Sequence, residues 1–313
     1  MSRIMFVGDI HINDTAPSSR KDTYGKTVLD KIMSLDSIAK ANEVDLIVYE
    51  GDIFNTAALS LSFLVKCLQA FQSISVPQYF IIGNHDITYE RLENFYKSPL
   101  NLIAMTGTLK HLDYTNPLVF EDDNVYLFGY DYGVQIQPVQ KYENATTICV
   151  AHTYYDNELY GKTSTMLSKE DAVRLGYDIY VLGHDHSIYE PVVTDSYRLY
   201  RHGSLLRGTS SKSNLERDVF VGIFDTSDKS WNLVSVPHLP AKEVFRDKIV
   251  IEKTSPKQIE YNLDSIIENL DALVSQTDAY DVMDSLKLPD NIVKFITYYF
   301  ESHGLYRKVD KVE

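Results

Sequence analysis

The chain opens with Arg3-Ile4-Met5-Phe6-Val7-Gly8-Asp9-Ile10-His11, an apolar run followed directly by glycine, aspartate and histidine. Four more polar clusters follow apolar runs: Gly51-Asp52-Ile53-Phe54, Gly83-Asn84-His85-Asp86, Ala151-His152 and Gly183-His184-Asp185-His186. Each run is typical of a buried β-strand. Ligands of open α/β sheets bind at the carboxyl ends of the strands. We therefore expect the five clusters to meet at one sheet edge and form a single site.

Strand and helix patterns alternate along the first 186 residues. The predicted strands are Arg3–Gly8, Asp45–Tyr49, Gln78–Ile82, Val125–Gly129, Thr147–Ala151 and Asp178–Leu182. The predicted helices are Lys26–Ala41, Ala57–Ile74 and Thr88–Tyr96. This alternation predicts an α/β fold with a large parallel component. Strand patterns at Ile188–Thr194, Arg198–Tyr200, Val219–Asp225 and Trp231–Pro237 predict a second sheet, antiparallel or mixed.

The segment Pro237-His238-Leu239-Pro240 is a plausible domain boundary, because prolines punctuate secondary structure. Beyond it, Glu243–Lys253 has strand character and Asp290–Ser302 is a predicted helix. Apolar residues at helical spacing predict an amphipathic helix between them: Ile259, Leu263, Ile266, Leu270 and Leu273. The predicted domains are thus residues 1–238 and a small α+β region at 239–313.

Composition bounds the class of protein. The 313 residues are 44% hydrophobic and 24% charged, as in soluble globular proteins. No run of 18 apolar residues exists, so we expect no membrane-spanning helix. Cys67 and Cys149 offer no disulfide framework, which favours a reducing, cytoplasmic compartment. The formal charge of −14 excludes a uniformly basic nucleic-acid binder, so metals or a partner must supply attraction for any nucleic acid.

The clusters combine carboxylates, an amide and imidazoles. Such mixed nitrogen and oxygen donors suit Mn, Fe or Zn, and the lack of thiolates argues against a structural zinc site. There are more donors than one ion needs, but they fit two ions that share a carboxylate. Two divalent ions beside Asp9 and Asp52 leave a net positive cavity, which suits a phosphoryl group.

A structural role is the ordinary expectation for a lone histidine, and a lone aspartate often caps a turn or helix. Five of the nine histidines, however, fall within the clusters, which makes coincidence a poor explanation. The remaining four are expected to be structural or surface residues: His111, His202, His238 and His303.

In order, the clusters Asp-x-His, Gly-Asp, Gly-Asn-His-Asp, His and Gly-His-x-His resemble the calcineurin-like metallophosphoesterases across residues 8–186. Gly51-Asp52-Ile53-Phe54 and the aspartate of Gly-Asn-His-Asp are most similar to SbcD-type DNA repair exonucleases and short phage recombination nuclease subunits. The segment from Tyr200 to Arg207 also resembles their Gly-Ser turn. The resemblance implies a sandwich of two mixed β-sheets flanked by helices. It also implies that the protein acts in the cytoplasm of a bacterial or phage-infected cell.

The resemblance also implies roles for the cluster residues. One metal, expected to be Mn²⁺, would be held by Asp9, His11, Asp52 and His186. A second would be held by Asp52, Asn84, His152 and His184. Metal-bound hydroxide would be the nucleophile and His85 would protonate the leaving oxygen. Asp86 would orient His85 and favour its charged form; alternatively, Asp86 is a turn residue that caps the helix at Thr88.

Partners implied by the resemblance are DNA and an SbcC-type ATPase. Only 73 residues follow Pro240, which fits a compact cap and a partner helix. The acidic segment 258–286 is either a solvated helix face or a ligand for a basic groove on the ATPase. Ala57–Ile74 is either a core helix or a homodimer face. Candidate DNA contacts, expected mainly in loops beside the motifs, are Arg20, Lys21, Arg207, Lys212 and Arg217.

The leading hypothesis is a two-metal phosphodiesterase acting on DNA. A phosphodiesterase for a small molecule such as a cyclic nucleotide is the enzymatic alternative, and a non-catalytic scaffold on the same fold is the non-enzymatic one. A Ser/Thr phosphatase is disfavoured, because Gly51-Asp52 is followed by Ile53-Phe54-Asn55 rather than by the Asp-Arg-Gly pattern of those enzymes.

Overall fold

The computed structural model describes residues 2–56, 59–140, 142–156 and 166–246. The strands are β1 (Arg3–Val7), β2 (Leu46–Tyr49), β3 (Gln78–Phe80), β4 (Lys110–His111), β5 (Leu118–Phe120), β6 (Val125–Tyr130), β7 (Thr146–His152), β8 (Tyr154–Tyr155), β9 (Met166–Leu167), β10 (Ile179–Gly183), β11 (Val192–Val193), β12 (Arg198–Tyr200), β13 (Phe220–Asp225) and β14 (Trp231–Ser235). The α-helices are α1 (Tyr24–Ala41), α2 (Leu61–Gln72), α3 (Pro99–Met105), α4 (Lys169–Leu175), α5 (Lys212–Glu216) and α6 (Ala241–Val244).

The first sheet has the strand order β14-β13-β1-β2-β3-β4. Strands β1 to β4 are parallel, β13 pairs antiparallel with β1, and the edge strand β14 pairs antiparallel with β13. Alternate residues of the central strands point to opposite faces of the sheet. On the outer face, Met5 and Ile47 pack in one apolar cluster with Val28 and Ile32 of α1 and Phe71 of α2.

The second sheet has the order β11-β12-β10-β7-β6-β5, with parallel central strands and antiparallel edges. Between the sheets lies a second apolar cluster that includes Phe6, Val48, Val150 and Val181. The outer face of the second sheet packs in a third cluster with Leu175 of α4. Two mixed sheets with helices outside them form an α/β sandwich, which confirms the predicted fold class.

The strands after residue 186 are placed differently from the prediction. They form no separate sheet within the described residues but divide between the two existing ones. β13 pairs antiparallel with β1, and β12 pairs parallel with β10. These long-range pairings, which local periodicity does not encode, allow each sheet to gain strands from both halves of the chain.

The segment predicted as the helix Thr88–Tyr96 consists instead of two 3₁₀ turns, Thr88–Glu90 and Leu92–Lys97. Tyr89 and Glu90 have left-handed φ values of 58° and 52°, which no continuous α-helix can contain. The α-helix begins later, with α3. The α1 prediction is confirmed, and α2 confirms the predicted helix Ala57–Ile74 over Leu61–Gln72. Residues 59–60 and 73–74 are described but not helical, and Ala57 and Ala58 lie outside the described residues.

Contacts divide the chain after Lys248, ten residues beyond the predicted boundary at residue 238. The reason is that residues after Pro240 pair with the loop before α1: Lys21 N–H donates to the Val244 carbonyl, and Arg20 and Phe245 form a β-bridge. Within the predicted strand Glu243–Lys253, Glu243 is helical. Val244 is helical too, and Phe245 forms only the isolated bridge with Arg20. Residues 247–253, the amphipathic and final helices and the acidic segment lie outside the described residues.

In the described part of the chain, no helix combines the length and apolar character needed to cross a membrane. Cys67 and Cys149 are both buried, and neither forms a disulfide.

Candidate metal centre and active site

All five polar clusters lie at carboxyl ends of parallel strands, as the sequence predicted. Asp9 and Asp52 follow β1 and β2 of the first sheet, and Asn84 follows β3. His152 ends β7 and His184 follows β10, both in the second sheet. The site therefore spans the edges of two packed sheets rather than one edge of a single sheet.

Local backbone conformation turns the site residues out of their strands. His11, Asp52 and His184 adopt positive φ values of 52°, 47° and 85°. Such a conformation costs a non-glycine residue about 1 kcal/mol or more and clusters at functional sites. At Gly83, a Cβ atom would overlap the carboxylate and backbone nitrogen of Asp52, so only glycine allows the loops after β2 and β3 to approach this closely.

The first donor group contains Asp9, His11 and His186, whose candidate ligand atoms lie within 4.8 Å of one another. The Nε2 atom of His186 is 3.2 Å from Asp9 Oδ2 and 2.9 Å from His11 Nε2. His11 Nε2 is also 3.7 Å from Oδ2 of Asp52. These four residues are the ones expected to hold one metal ion.

The second donor group contains Asp52, His152 and His184. His152 Nε2 lies 3.3 Å from Asp52 Oδ2, 3.2 Å from Asn84 Oδ1 and 3.1 Å from His184 Nδ1. Because Asp52 Oδ2 borders both groups, its position matches that of a carboxylate shared by two cations.

The chemistry of these donors fits divalent metal ions. Asp9 Oδ2 is buried without a hydrogen-bond partner among the described residues, which is costly unless a cation lies beside it. A metal ion, or the protonated ring of His186 at 3.2 Å, would supply that charge. Two pairs of imidazole nitrogens face each other, at 2.9 Å between His11 and His186 and 3.1 Å between His152 and His184. His152 Nδ1–H donates to the Glu50 carbonyl oxygen at 2.7 Å, which leaves the Nε2 lone pair directed into the site.

Three of the donors, His11, His184 and Asp52, are in protonation states that suit metal binding. Burial lowers the pKa of His11 to about 4, and burial with the charge of His152 lowers the pKa of His184 to about 4. Burial acts to raise the pKa of Asp52, but the charge of His152 and its hydrogen bond outweigh burial and lower this pKa to about 2. At neutral pH His11 and His184 are therefore neutral imidazoles and Asp52 is an ionised carboxylate, the forms that ligate metals.

For His152 and His186 burial acts to lower the pKa, but the charges and hydrogen bonds of Asp52 and Asp9 outweigh it: they raise the pKa of His152 to about 10 and that of His186 above its ordinary value. A metal ion that binds these two rings would displace their protons.

His85 is exposed at the mouth of the site. Its ring lies edge-on to that of His11, with the centroids 4.8 Å apart. Its backbone N–H donates to Asp52 Oδ1 at 2.8 Å, while its Nδ1 faces the Asn55 carbonyl oxygen at 3.4 Å. The imidazole is thus beside both donor groups and open to a substrate.

Asp86 has a different role from the predicted one. Its carboxylate accepts hydrogen bonds from the backbone N–H groups of Ile53, Phe54 and Gly83, at 3.3, 2.8 and 2.9 Å. The hydrogen bonds of the described residues include none between Asp86 and the His85 ring. Asp86 neither orients this ring nor caps a helix at Thr88; it ties the loop after β2 to the loop after β3. Burial, with the charge of Asp52, raises its pKa to about 8.

Three of the predicted DNA contacts are engaged inside the protein. Arg20 is 2% exposed and pairs with Asp22, and Arg207 is 4% exposed and donates to the Leu239 carbonyl. Arg217 donates to Ser204 and to the carbonyl oxygen of Leu206. These guanidinium groups hold loops together and are not surface phosphate contacts. Lys21 and Lys212 are exposed, although Lys212 begins α5 rather than lying in a loop.

Helix α2 buries one face, including Phe63, Leu64 and Phe71, in the core. Leu61 and Val65, on its other side, are 72% and 45% exposed. The buried face agrees with the interpretation of this segment as a core helix. A dimer interface formed by its exposed residues stays a prediction.

Among the histidines expected to be structural, His111 pairs with Asp131, and the buried His202 lies 3.4 Å from Glu50 Oε1. His238 contacts Asp218, and His303 lies outside the described residues. None of the three described histidines belongs to either donor group.

Sequence reasoning missed two tyrosines that pack on His184. The ring centroids of Tyr154 and Tyr132 are 4.1 Å and 5.7 Å from that of His184. For Tyr154 a signal existed, because it lies two residues after His152 and extended chains place such residues on one face. It also missed the Glu50 carbonyl, since backbone acceptors leave no trace in a motif.

Comparison with known proteins agrees with this geometry. The family model described as calcineurin-like phosphoesterase matches residues 2–187. The chain belongs to this metallophosphoesterase family, whose members are hydrolases that use divalent metals.

A 123-residue stretch is 28% identical to the DNA double-strand break repair protein Mre11 of Saccharolobus solfataricus. The match covers 37% of this chain and 32% of that protein, so it spans about a third of the relative's length.

Two solved structures also resemble the chain. The protein TT1561 of Thermus thermophilus has a TM-score of 0.48 at 11% identity, covering 75% of this chain and 99% of its own. A dimetal phosphatase from Danio rerio has a TM-score of 0.48 at 11% identity, covering 71% and 91%. Both similarities are too low to support an argument about function.

Proposed function

We propose that this protein is a two-metal phosphodiesterase that hydrolyses DNA, as the nuclease subunit of an SbcCD-like repair or recombination complex. The observation that carries the proposal is the position of Asp52, whose Oδ2 lies within 3.7 Å of His11 Nε2 and 3.3 Å of His152 Nε2. The partial similarity to Mre11 supports DNA as the substrate.

Seven side chains would hold the two ions, which we propose to be Mn²⁺. Asp9, His11, His186 and Asp52 hold one ion, and Asp52, Asn84, His152 and His184 hold the other. Bound there, two such ions supply an activated water and neutralise the charge that develops on the phosphoryl oxygens. The protein fixes its ligands through the Glu50 carbonyl behind His152 and the Asp86 carboxylate behind the loops.

His85 is the proposed general acid. A catalytic acid must reach the leaving oxygen, and His85 is exposed beside His11 and Asp52. With Nδ1 facing the Asn55 carbonyl, a protonated ring is anchored at one nitrogen and can transfer the Nε2 proton to the leaving oxygen. Because Asp86 contacts the backbone instead, Asn55 takes the positioning role first expected of Asp86.

One observation favours a small-molecule phosphodiester as the alternative substrate. A cavity of about 380 Å³ lies beside His152, lined by apolar side chains such as Val134 and Leu175 and by charged ones such as Asp131 and Arg174. Cavities of this size hold small ligands. A cyclic nucleotide or a related diester would place its base in such a cavity and its phosphate at the metal centre.

We also propose two partners for the protein. An SbcC-type ATPase is the proposed partner of residues 239–313, and a second copy of the chain is the proposed partner of the exposed side of α2. A truncated chain that ends at residue 248 tests the first: it should lose binding to the ATPase while it still hydrolyses a small phosphodiester.

Manganese-dependent degradation of end-labelled single-stranded and duplex DNA tests the function, with His85→Ala as the matched variant. We expect wild-type protein to degrade DNA and His85→Ala to lose at least about 100-fold in rate, in line with general acid catalysis. Hydrolysis of a chromogenic phosphodiester without any DNA cleavage, in the presence and absence of the ATPase, would favour the small-molecule alternative.

A further inference from the structure

The described arginines differ in what their guanidinium groups contact. Eight of the nine donate a hydrogen bond or form an ion pair within the chain: Arg3, Arg20, Arg91, Arg174, Arg198, Arg207, Arg217 and Arg246. Arg201 is the exception among the described residues, and its Nε atom is buried without a hydrogen-bond partner. A buried unpaired donor is costly, which points to a ligand that completes it.

Two tyrosine rings hold this guanidinium group in place. Arg201 Cζ lies 3.8 Å from the centroid of the Tyr189 ring and 5.2 Å from that of the buried Tyr155 ring. Such stacking is favourable for arginine and leaves the donors at the edge of its plane available. A backbone hydrogen bond of 3.1 Å from Tyr189 N–H to the Arg201 carbonyl oxygen joins the two residues further.

The stack lies at the sheet edge that also carries His184 and His186. Arg201 follows β12, in which Tyr200 pairs with Val181 of the parallel strand β10. Both strands therefore deliver their next residues to the same sheet edge. The Tyr189 hydroxyl donates to Asp185 Oδ2 at 2.8 Å, and Asp185 lies between His184 and His186 in the chain.

From this geometry we infer that Arg201 binds a non-scissile phosphate of the substrate strand, next to the phosphodiester at the metal centre. The inference rests on the proposed action on DNA. A planar guanidinium group matches phosphate oxygens through two parallel hydrogen bonds. Arg20, Arg207 and Arg217 are used internally in this acidic protein. Among the arginines of the described residues, Arg201 is the one whose guanidinium group makes no hydrogen bond or ion pair.

The test uses Arg201→Met, which keeps an unbranched side chain between the rings and removes the charge. Arg198→Met, an exposed arginine on the same strand, is the matched control. Binding of a labelled single-stranded oligonucleotide is measured by fluorescence anisotropy with Mn²⁺ in a His85→Ala background at several salt concentrations. Turnover of a chromogenic phosphodiester is measured in the otherwise wild-type background.

We expect Arg201→Met to weaken DNA binding about tenfold. The slope of log affinity against log salt should fall by about 0.7, the value for one phosphate contact on a single strand. Arg201→Met should turn over the chromogenic diester at the wild-type rate. Arg198→Met should match the protein without this substitution in DNA affinity, salt slope and turnover. Arg201→Lys keeps the charge but cannot make two parallel hydrogen bonds to a phosphate. It should therefore retain the wild-type salt slope and bind DNA with an affinity between those of wild-type protein and Arg201→Met.

Two results would overturn this inference but not the proposed function. The first is an unchanged DNA affinity and salt slope in Arg201→Met while wild-type protein cleaves DNA. The second is a loss of chromogenic turnover as large as the loss of DNA affinity, which would place the effect at the metal centre. Wild-type protein that hydrolyses the chromogenic diester but neither binds nor cleaves DNA would overturn the proposed function together with the inference.

Discussion

The Nε2 atoms of His11 and His186 lie 2.9 Å apart, and that of His186 is 3.2 Å from the carboxylate of Asp9. Two neutral imidazoles cannot face each other this closely without a shared proton or cation. A cation between the rings would satisfy both nitrogens and also Oδ2 of Asp9, which is buried without a hydrogen-bond partner among the described residues. The arrangement is therefore preorganised for a metal ion, and metal binding should stabilise the fold.

Asp52→Asn should remove the shared ligand of both ions. We expect wild-type protein to retain two Mn²⁺ per chain after gel filtration and the variant to retain no more than one, with affinity weakened by about 100-fold or more. Elemental analysis and titration calorimetry measure this. The exposed Asp122→Asn serves as control, and two tightly held ions in Asp52→Asn would contradict the assignment of Asp52.

Gly83→Ala should disturb Asp52 without changing any metal ligand. The new Cβ would overlap the Asp52 carboxylate and backbone nitrogen, so the loops must separate. We expect hydrolysis of a chromogenic phosphodiester to fall about 100-fold, since small misplacement of catalytic groups is costly. Gly208→Ala, where a Cβ meets nothing within 4 Å, should be unaffected. Equal activity of the two variants would refute the close approach.

Asp86→Ala should destabilise the protein, because three buried backbone N–H groups lose their acceptor. The expected loss in the free energy of unfolding is about 3 kcal/mol, measured by urea denaturation in EDTA to separate it from metal binding. Asp122→Ala, on the surface, should change stability by less than about 0.5 kcal/mol. If Asp86→Ala unfolded at the wild-type urea concentration, the hydrogen bonds would carry no such weight.

The pair His111–Asp131 should make stability depend on pH. His111 of β4 in the first sheet lies 2.9 Å from the Asp131 carboxylate, which follows β6 of the second. Burial acts to lower the pKa of His111, but the hydrogen bond and charge of Asp131 raise it above the ordinary value of 6.5. Stability from this pair is therefore present below pH 6.5 and is lost as pH rises through the folded-state pKa.

Urea unfolding of wild-type protein and His111→Gln at pH 5.5 and pH 9 measures this difference. The variant should be less stable at pH 5.5 by at most about 1 kcal/mol, since the imidazole is partly exposed and water screens the pair. The difference in the free energy of unfolding between wild-type protein and His111→Gln should be smaller at pH 9. A gap that widens with pH would show that the neutral histidine makes the stabilising contact.

The proximity of the polar clusters could be predicted from the sequence, because each motif is local and parallel strands share an edge. His11 and His186 are 175 positions apart, yet the strand pattern before each was enough to bring them together. The division of the motifs between two sheets was not predictable from periodicity. It depends on which distant strands pair, as β1 does with β13.

The arginines show the opposite case. Whether Arg20 is buried depends on the contact of residues 244–246 with the loop before α1, a long-range packing event. The sequence does not distinguish Arg20 from Arg201. In the structure, Arg20 is buried and pairs with Asp22, whereas Nε of Arg201 has no hydrogen-bond partner within the described part of the chain. Likewise, the adjacency of Asp86 and His85 in sequence suggested a contact that the backbone N–H groups of Ile53, Phe54 and Gly83 take instead.

Anomalous X-ray diffraction at the manganese edge, from crystals grown with Mn²⁺, tests the two-metal centre most directly. Two peaks are predicted, one among Asp9, His11, Asp52 and His186 and the other among Asp52, Asn84, His152 and His184, with Asp52 bound to both. Two ions sharing a carboxylate should lie about 3.5–4 Å apart. A single peak, or peaks away from Asp52, would contradict the account.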